Sequence, residues 1–312
     1  MKAIMVGFGQ VGRSLRTLLQ GRAKELGVEV EIEAVVTRRG IMIGDGEEFR
    51  KTRDGTAMDA LNLIGPDLVI DVSSANYQTG EPSLSLYIEA LRRGVHVVTS
   101  NKAPLALKFW EIMDTSRRHG GKLGFQATVM SGVPSVNLIR VMPGLKITRI
   151  RGILNGTTNY ILSKMYQGLS YEEALKEAQE LGYAESNPEH DVNGFDAAAK
   201  LVILANYGLG SRANINSVHF KGIKELSQER IIALKRQGKK VKLVAEAYGN
   251  SLTVEPREIG PEDPLYNIDG VTNALHISSD VQEITVIGPG AGPLNAAFGV
   301  FYDIVLMSKG LY

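Results

Sequence analysis

The sequence contains no cysteine. That absence excludes a disulfide framework, a thiolate metal site and a covalent thiol nucleophile together, and it fits a reducing, cytoplasmic compartment. An excess of either charge is missing too: 35 Lys and Arg against 34 Asp and Glu leave a formal charge of +1. With that balance and no long basic run, nucleic acid is not an expected partner. Long hydrophobic runs are also wanting. The longest, around residues 201–205, falls far short of the roughly 18 residues a membrane span requires, so no membrane partner is expected either. The opening stretch is broken at Gly7 and Gly12 and followed by Arg13 and Arg16 without a small-residue cleavage pattern, so it reads as a mature amino terminus entering a strand. His96, His119, His190, His219 and His276 show no paired ligand spacing, and no metal is expected from them.

What is present is a chain of 312 residues, 44% hydrophobic and 22% charged, long enough for about two domains. Through the first part, short apolar runs alternate with amphipathic stretches. Residues 3–6, 30–36, 68–72 and 95–99 read as strands; residues 11–19, 58–63 and 84–93 read as helices, the last stopped by Gly94. Residues 41–65 are otherwise polar. Strand, helix, strand in this order predicts an α/β fold with a Rossmann-type doubly wound parallel sheet. After about residue 127 the pattern becomes α+β, with strands at 146–154, 239–248, 251–256 and 283–287 and helices at 159–167, 171–181 and 195–207. A glycine-rich turn from Gly288 then precedes a final helix.

Gly7, Phe8, Gly9, Gln10, Val11 and Gly12 fit G-x-G-x-x-G directly after the first strand and at the start of a helix. A tight turn there brings backbone N–H groups against a pyrophosphate, which marks a dinucleotide site. The second strand ends in Thr37, Arg38, Arg39. An NAD-selective site places a carboxylate at this point for the ribose 2′-hydroxyl, whereas a guanidinium matches a 2′-phosphate in charge and geometry. NADP(H) is therefore the expected cofactor, with NAD(H) secondary and Arg38 the leading contact. Ser73 and Ser74 follow the next strand and Lys102 the one after, facing the same crevice.

The helix at 195–207 is apolar on nearly every side, and Asp196 and Lys200 are its only charges, one turn apart. On an exposed helix such a pair is worth only about 0.3–0.5 kcal/mol. On a buried one, desolvation costs several kcal/mol unless the two ions pair well, so ionisable groups held there are candidates for chemistry. The preceding loop adds Glu185 and Asp191, suited to an ammonium group, with Asp191 or Asn193 also placed to cap the buried helix. Ser170 and Glu173 form a capping box one helix earlier.

These residues together resemble the homoserine dehydrogenase family over essentially the whole chain. The nucleotide loop at 7–12, Thr99-Ser100-Asn101-Lys102, Leu154-Asn155-Gly156-Thr157-Thr158-Asn159, the run from Leu181 through Asp196 to Lys200, and Gly288-Pro289-Gly290-Ala291-Gly292 follow the family's strings in order. The resemblance implies reversible NAD(P)H-dependent reduction of L-aspartate 4-semialdehyde to L-homoserine, a small-molecule step in threonine, methionine and isoleucine biosynthesis. It implies Lys200 as the acid–base residue, Asp196 as its partner at the reacting oxygen, and Lys102 near cofactor and substrate. Glu185 and Asp191 would hold the amino-acid end, and Ser73, Gly182 and Gly292 would line the nucleotide. It also implies a homodimer and three segments: 1–130 nucleotide-binding, 131–287 catalytic and dimerising, and 288–312 returning to the first. The aspartokinase and regulatory domains of some relatives are expected to be absent.

Two departures matter. Some relatives hold sodium through a Glu in Glu-Ala-Thr-Val, but here the string is Gln126-Ala127-Thr128-Val129, so sodium is not expected; any ion would use the carbonyls of Val129, Ser131 and Val133. Thr37 stands where an acid is common. Two rival readings stay open. Tyr160 and Lys164 form the Tyr-x-x-x-Lys of a short-chain ketoreductase, and a nucleotide-sensing protein without turnover would keep the same glycine loop. Aspartate-semialdehyde dehydrogenase, which needs a thiol, is excluded.

Overall fold

Ala3, Ile4 and Met5 are wholly buried because β1 (Lys2–Val6) has parallel strands on both sides. A strand covered on both faces takes a continuous apolar run, not an alternating one. In this computed structural model, which describes residues 1–312, β1 leads through α1 (Gln10–Gln20) and α2 (Arg22–Glu25) to β2 (Glu31–Thr37) and β3 (Gly40–Ile43). There follow α3 (Ala57–Ile64), β4 (Leu68–Asp71), α4 (Ser83–Arg92), β5 (His96–Thr99), α5 (Ala103–His119), β6 (Leu123–Gly124) and α6 (Ala127–Met130). The strands form one sheet in the order β3-β2-β1-β4-β5-β6, parallel except for the β2–β3 pair.

That antiparallel edge corrects the reading of residues 41–65 as a polar stretch without a strand. Arg38 and Arg39 make a two-residue turn, Thr37 pairs with Gly40, and Ile41 and Met42 are buried. Gly40 has φ +123, and a Cβ there would lie 2.7 Å from the Arg53 carbonyl oxygen, so the close approach of the following segment requires glycine. The sheet's carboxyl edge is level: Val6 is in register with Val36 and with Asp71, and Asp71 with Thr99. Gly7, Arg38, Ser73 and Lys102 therefore leave the sheet along one edge, the edge at which open α/β sheets bind ligands.

The chain continues through α7 (Val136–Arg140), β7 (Ile147–Ile153), α8 (Gly156–Gln167), α9 (Tyr171–Glu180), α10 (Glu189–Val192) and α11 (Phe195–Leu209). Then come β8 (His219–Phe220), α12 (Gln228–Arg236), β9 (Lys240–Tyr248), β10 (Ser251–Ile259), β11 (Thr272–Ser279), β12 (Glu283–Pro289) and the last helix, α13 (Pro293–Ser308). The second sheet runs β12-β11-β7-β9-β10-β8, antiparallel apart from β10 with β8. Two compact units result: Met1–Gly132 with Gly292–Tyr312, and Val133–Ala291. Within the first, Leu15, Leu18 and Leu19 of α1 share a core with Val300, Phe301 and Ile304 of α13. Within the second, every residue of α11 from Ala197 to Asn206 is buried, as an all-round apolar helix requires. No helix is long and apolar enough to cross a membrane.

Candidate active site

The β7–α8 turn and the start of α11 build one connected cluster in the second unit. Asp196 lies in the first turn of α11, where the helix dipole favours a carboxylate. Lys200 follows one turn later, and its Nζ donates to Asp196 Oδ2 at 2.7 Å and to the Leu154 carbonyl at 2.7 Å. The two side chains are 16% and 8% exposed. Asn155 caps α8 by accepting from the Thr158 N–H at 2.9 Å. Its Nδ2 donates to Asp191 Oδ1 at 2.7 Å and to Asp196 Oδ2 at 3.0 Å. The arrangement is an ammonium with its carboxylate partner, nearly shut off from water, next to a second carboxylate. Such a site can give up and take back a proton and can stabilise a developing oxyanion.

The loop between α9 and α11 is placed by side chains that donate to its backbone carbonyls. The Tyr183 carbonyl accepts from Thr157 Oγ1 at 2.7 Å, and the Glu185 carbonyl accepts from Gln179 Nε2 at 3.1 Å. Glu185 itself is exposed. Neither expected capping residue is the N-cap of α11: Gly194 holds that position in a left-handed conformation without a side-chain cap, and Asn193, one residue earlier, accepts from the Phe195 N–H through Oδ1 at 2.9 Å. Asp191 does not cap α11, because its carboxylate is drawn to Asn155 instead.

In the first unit, three glycines have three separate physical reasons. At Gly7 (φ +97) a Cβ would sit 2.7 Å from the Val72 carbonyl oxygen, and at Gly12 one would sit 2.9 Å from the Gly7 carbonyl oxygen. At Gly9 it would meet nothing within 4 Å. The first and third glycines are thus demanded by the turn and by helix–strand packing, while the second keeps the approach to α1 open. No side chain caps α1, so its first-turn N–H groups are available to an anion. This cradle fits a dinucleotide pyrophosphate. Beside it the buried Asp71 accepts from the Ser73 N–H at 2.9 Å and from the Tyr87 hydroxyl, which holds the turn carrying Ser73 and Ser74. Burial and the Asp71 charge push the Tyr87 phenol well above its usual value of 10. Asn101 ties the next turn, its N–H donating to Thr99 Oγ1 at 2.8 Å and its Oδ1 accepting from the Ala103 N–H at 3.2 Å, and Lys102 stands at the start of α5.

Arg38 and Arg39 are both exposed at the β2–β3 turn. The Arg39 guanidinium lies 4.7 Å from the Phe49 ring centroid, a cation–π contact. Lys51, whose Cδ lies 2.8 Å from the Cβ position of Gly40, packs its stem beside this turn while its Nζ pairs with Asp54 at 2.8 Å. Sequence reading missed it because only the hairpin brings it there.

Comparison with known proteins now settles the family. A homoserine dehydrogenase model matches residues 134–305, and a model of the homoserine dehydrogenase NAD-binding domain matches residues 7–126. The chain belongs to the homoserine dehydrogenase family. It is 52% identical over 311 residues to a homoserine dehydrogenase of Sulfurisphaera tokodaii, covering 99% of each chain. It is 36% identical to an NAD(+)-dependent homoserine dehydrogenase of Pseudomonas canavaninivorans, covering 97% of this chain and 95% of that one. A hyperthermophilic archaeal homoserine dehydrogenase in complex with NADPH has a TM-score of 0.86 at 28% identity, covering 99% of this chain and 98% of that one. Homoserine dehydrogenases are NAD(P)-dependent oxidoreductases that interconvert L-aspartate 4-semialdehyde and L-homoserine, and this chain is one of them by sequence and fold.

Two other features of the family comparison resolve in the structure. The buried Gln126 points its Nε2 at the Ser131 carbonyl, 3.3 Å away, and its N–H donates to Asp303 Oδ2 at 2.8 Å. Gln126 thus supplies a neutral amide where some relatives carry a carboxylate, and the Ser131 carbonyl accepts one of its N–H groups. Val129 lies within α6 and Ser131 follows it at φ +53. Tyr160 donates to Glu177 Oε1 at 2.7 Å, and Lys164 Nζ pairs with the same oxygen at 2.7 Å. Burial and the Glu177 contact raise the Tyr160 phenol above 10, which moves it away from the ready proton donor a short-chain reductase needs. The pair ties α8 to α9.

Proposed function

We propose that Lys200 is the proton donor and acceptor for aspartate-semialdehyde reduction in this enzyme, with Asp196 orienting it and the reacting oxygen. NADPH, when bound, supplies the hydride to the aldehyde carbon. The carbonyl oxygen then becomes an alkoxide, which takes a proton from the Lys200 ammonium; oxidation of homoserine returns it. The observation that carries this reading is an ammonium 8% exposed, fixed between Asp196 and the Leu154 carbonyl. Asp191 and the exposed carboxylate of Glu185 provide negative charge for the substrate's ammonium group, and Lys102 assists at the cofactor and substrate.

Gly7 through Gly12 receive the pyrophosphate, Ser73, Ser74, Gly182 and Gly292 line the nucleotide, and Arg38 with Arg39 receives the 2′-phosphate of NADP(H). The enzyme works in the cytoplasm as a homodimer joined through the sheet of the second unit, where Tyr248 is 62% exposed. The test is NADP+-dependent oxidation of L-homoserine by purified protein. Lys200→Ala and Lys102→Ala are each expected to lower kcat by about two orders of magnitude or more, and near-wild-type turnover in both would reject the assignment. Arg38→Ala is expected to reduce the NADPH/NADH ratio of kcat/KM by roughly 10-fold or more, the range of a lost charged hydrogen bond; an unchanged ratio rejects Arg38.

A further inference from the structure

We infer that Asn155 is a positioning residue for the reaction: it sets Asp191 and Asp196 together and so fixes the carboxylate against which Lys200 works. The inference rests on the reading of Lys200 and Asp196 given above. Asn155 is 5% exposed, and its amide is held at both ends. Oδ1 accepts from the Thr158 N–H at 2.9 Å and lies 3.0 Å from the Thr158 hydroxyl. Nδ2 directs one N–H to Asp191 at 2.7 Å and the other to Asp196 at 3.0 Å. The orientation of the amide is fixed by chemistry: the Thr158 N–H can only donate and ionised carboxylates can only accept. The cap of a twelve-residue helix thereby locks a side chain whose other end holds two like charges around one nitrogen.

The neighbouring residue completes the device. The Leu154 carbonyl accepts from Lys200 while the next residue's side chain donates to Asp196, so a single two-residue turn between β7 and α8 grips both the cation and the anion of the pair. Without the Nδ2 donors, the two carboxylates repel and Asp196 loses its fixed place. A displacement of about 1 Å in such a group costs on the order of 100-fold in rate.

The experiment separates positioning from helix capping. Aspartate and serine cap a helix about as well as asparagine, but neither supplies the two N–H groups. Asn155→Ser is expected to melt close to the wild type and clearly above Asn155→Ala, and to keep the wild-type Kd for NADPH, measured by its fluorescence, while kcat for homoserine oxidation falls about 100-fold. Asn155→Asp, which sets a third carboxylate against Asp191 and Asp196, should lose both stability and kcat. Asn155→Ala is expected to lose both thermal stability and kcat. If the serine variant turns over near the wild-type rate, Asn155 is a cap alone and the inference is overturned. If it melts as low as the alanine variant, the residue serves the fold, with the same consequence. Lys200→Met measured in parallel separates the two failures. An inactive Lys200→Met beside an active Asn155→Ser removes only this inference, while an active Lys200→Met removes the reading beneath it.

Discussion

The buried ion pair of α11 makes a quantitative demand on stability as well as on catalysis. Asp196 and Lys200 are 16% and 8% exposed and 2.7 Å apart. Removing one partner of a buried pair typically costs about 3–5 kcal/mol, because the survivor is left charged and poorly solvated. Each survivor here keeps one hydrogen bond, Lys200 to the Leu154 carbonyl and Asp196 from Asn155, so the lower end applies. Lys200→Met and Asp196→Leu should each lose about 3 kcal/mol. The double variant removes both charges but leaves the Leu154 carbonyl and one Asn155 N–H without these partners, so it should lose about 3 kcal/mol rather than twice that. The coupling between the two positions is then about 3 kcal/mol, against about 0.3–0.5 kcal/mol for an exposed pair at the same spacing. Urea unfolding followed by far-ultraviolet circular dichroism measures all four proteins. In a thermal melt each single change should appear as a shift of roughly 6–12 °C for a unit of this size. Turnover should not recover in the double variant, since the proton donor is gone. A coupling below about 0.5 kcal/mol would refute the reasoning, for the pair would then behave as a solvated surface bridge.

Three further outcomes are expected. Tyr160→Phe removes a hydroxyl bound to Glu177 but leaves Lys164 paired; it should lose about 0.5–1.5 kcal/mol with turnover nearly unchanged, and abolished turnover would restore the short-chain reading. Replacing sodium chloride by choline chloride at constant ionic strength should leave the wild-type melting temperature unaltered. Gln126→Glu should lose at least about 1–3 kcal/mol by turning a buried carboxylate toward the Ser131 carbonyl, and a sodium-specific rise in the wild-type melting temperature would contradict this account. The third concerns acid. Burial lowers His276 and His96 from the usual 6.5, with nearby cations adding to it. Since the unfolded chain binds these protons first, the neutral rings contribute stability above pH 6.5 that is lost as the pH falls below it. Unfolding free energies at pH 7.5 and 5.5 measure the loss; His276→Gln should shrink it, and an undiminished loss in that variant would reject the histidine's part.

Features with local causes were legible in the sequence. The roles of Gly7, Gly9 and Gly12 follow from one turn and the helix after it, and the depth of α11 follows from its lack of a polar side. Features made by long-range contact were not. Asn155 reaches Asp191 and Asp196 across 36 and 41 residues, and nothing local distinguishes it from an ordinary helix cap. β11 was unread because buried Asn273 and His276 interrupt its apolar pattern. α5 is interrupted midway by Lys108 at φ −138. β3 depends on the hairpin at Arg38 and Arg39, which composition alone marks only as polar. In the acid loop the residue types suggest a side-chain cap from Asp191 or Asn193, but the cap position of α11 falls to Gly194, and Asp191 turns to a donor brought by α8.

The last helix places a condition on how the protein comes into being. Ala297, Val300, Phe301, Ile304 and Met307 of α13 belong to the core around β1 and α1, and Asp303 accepts from the backbone of Gln126. Domains ordinarily fold as units in the order of their synthesis. Here the amino-terminal unit is still short of an interior wall when residue 132 leaves the ribosome, and it stays so while the whole intervening unit is made. The unit that carries the nucleotide cradle, although begun before the second unit, is therefore the later of the two to be finished, since its core must await α13.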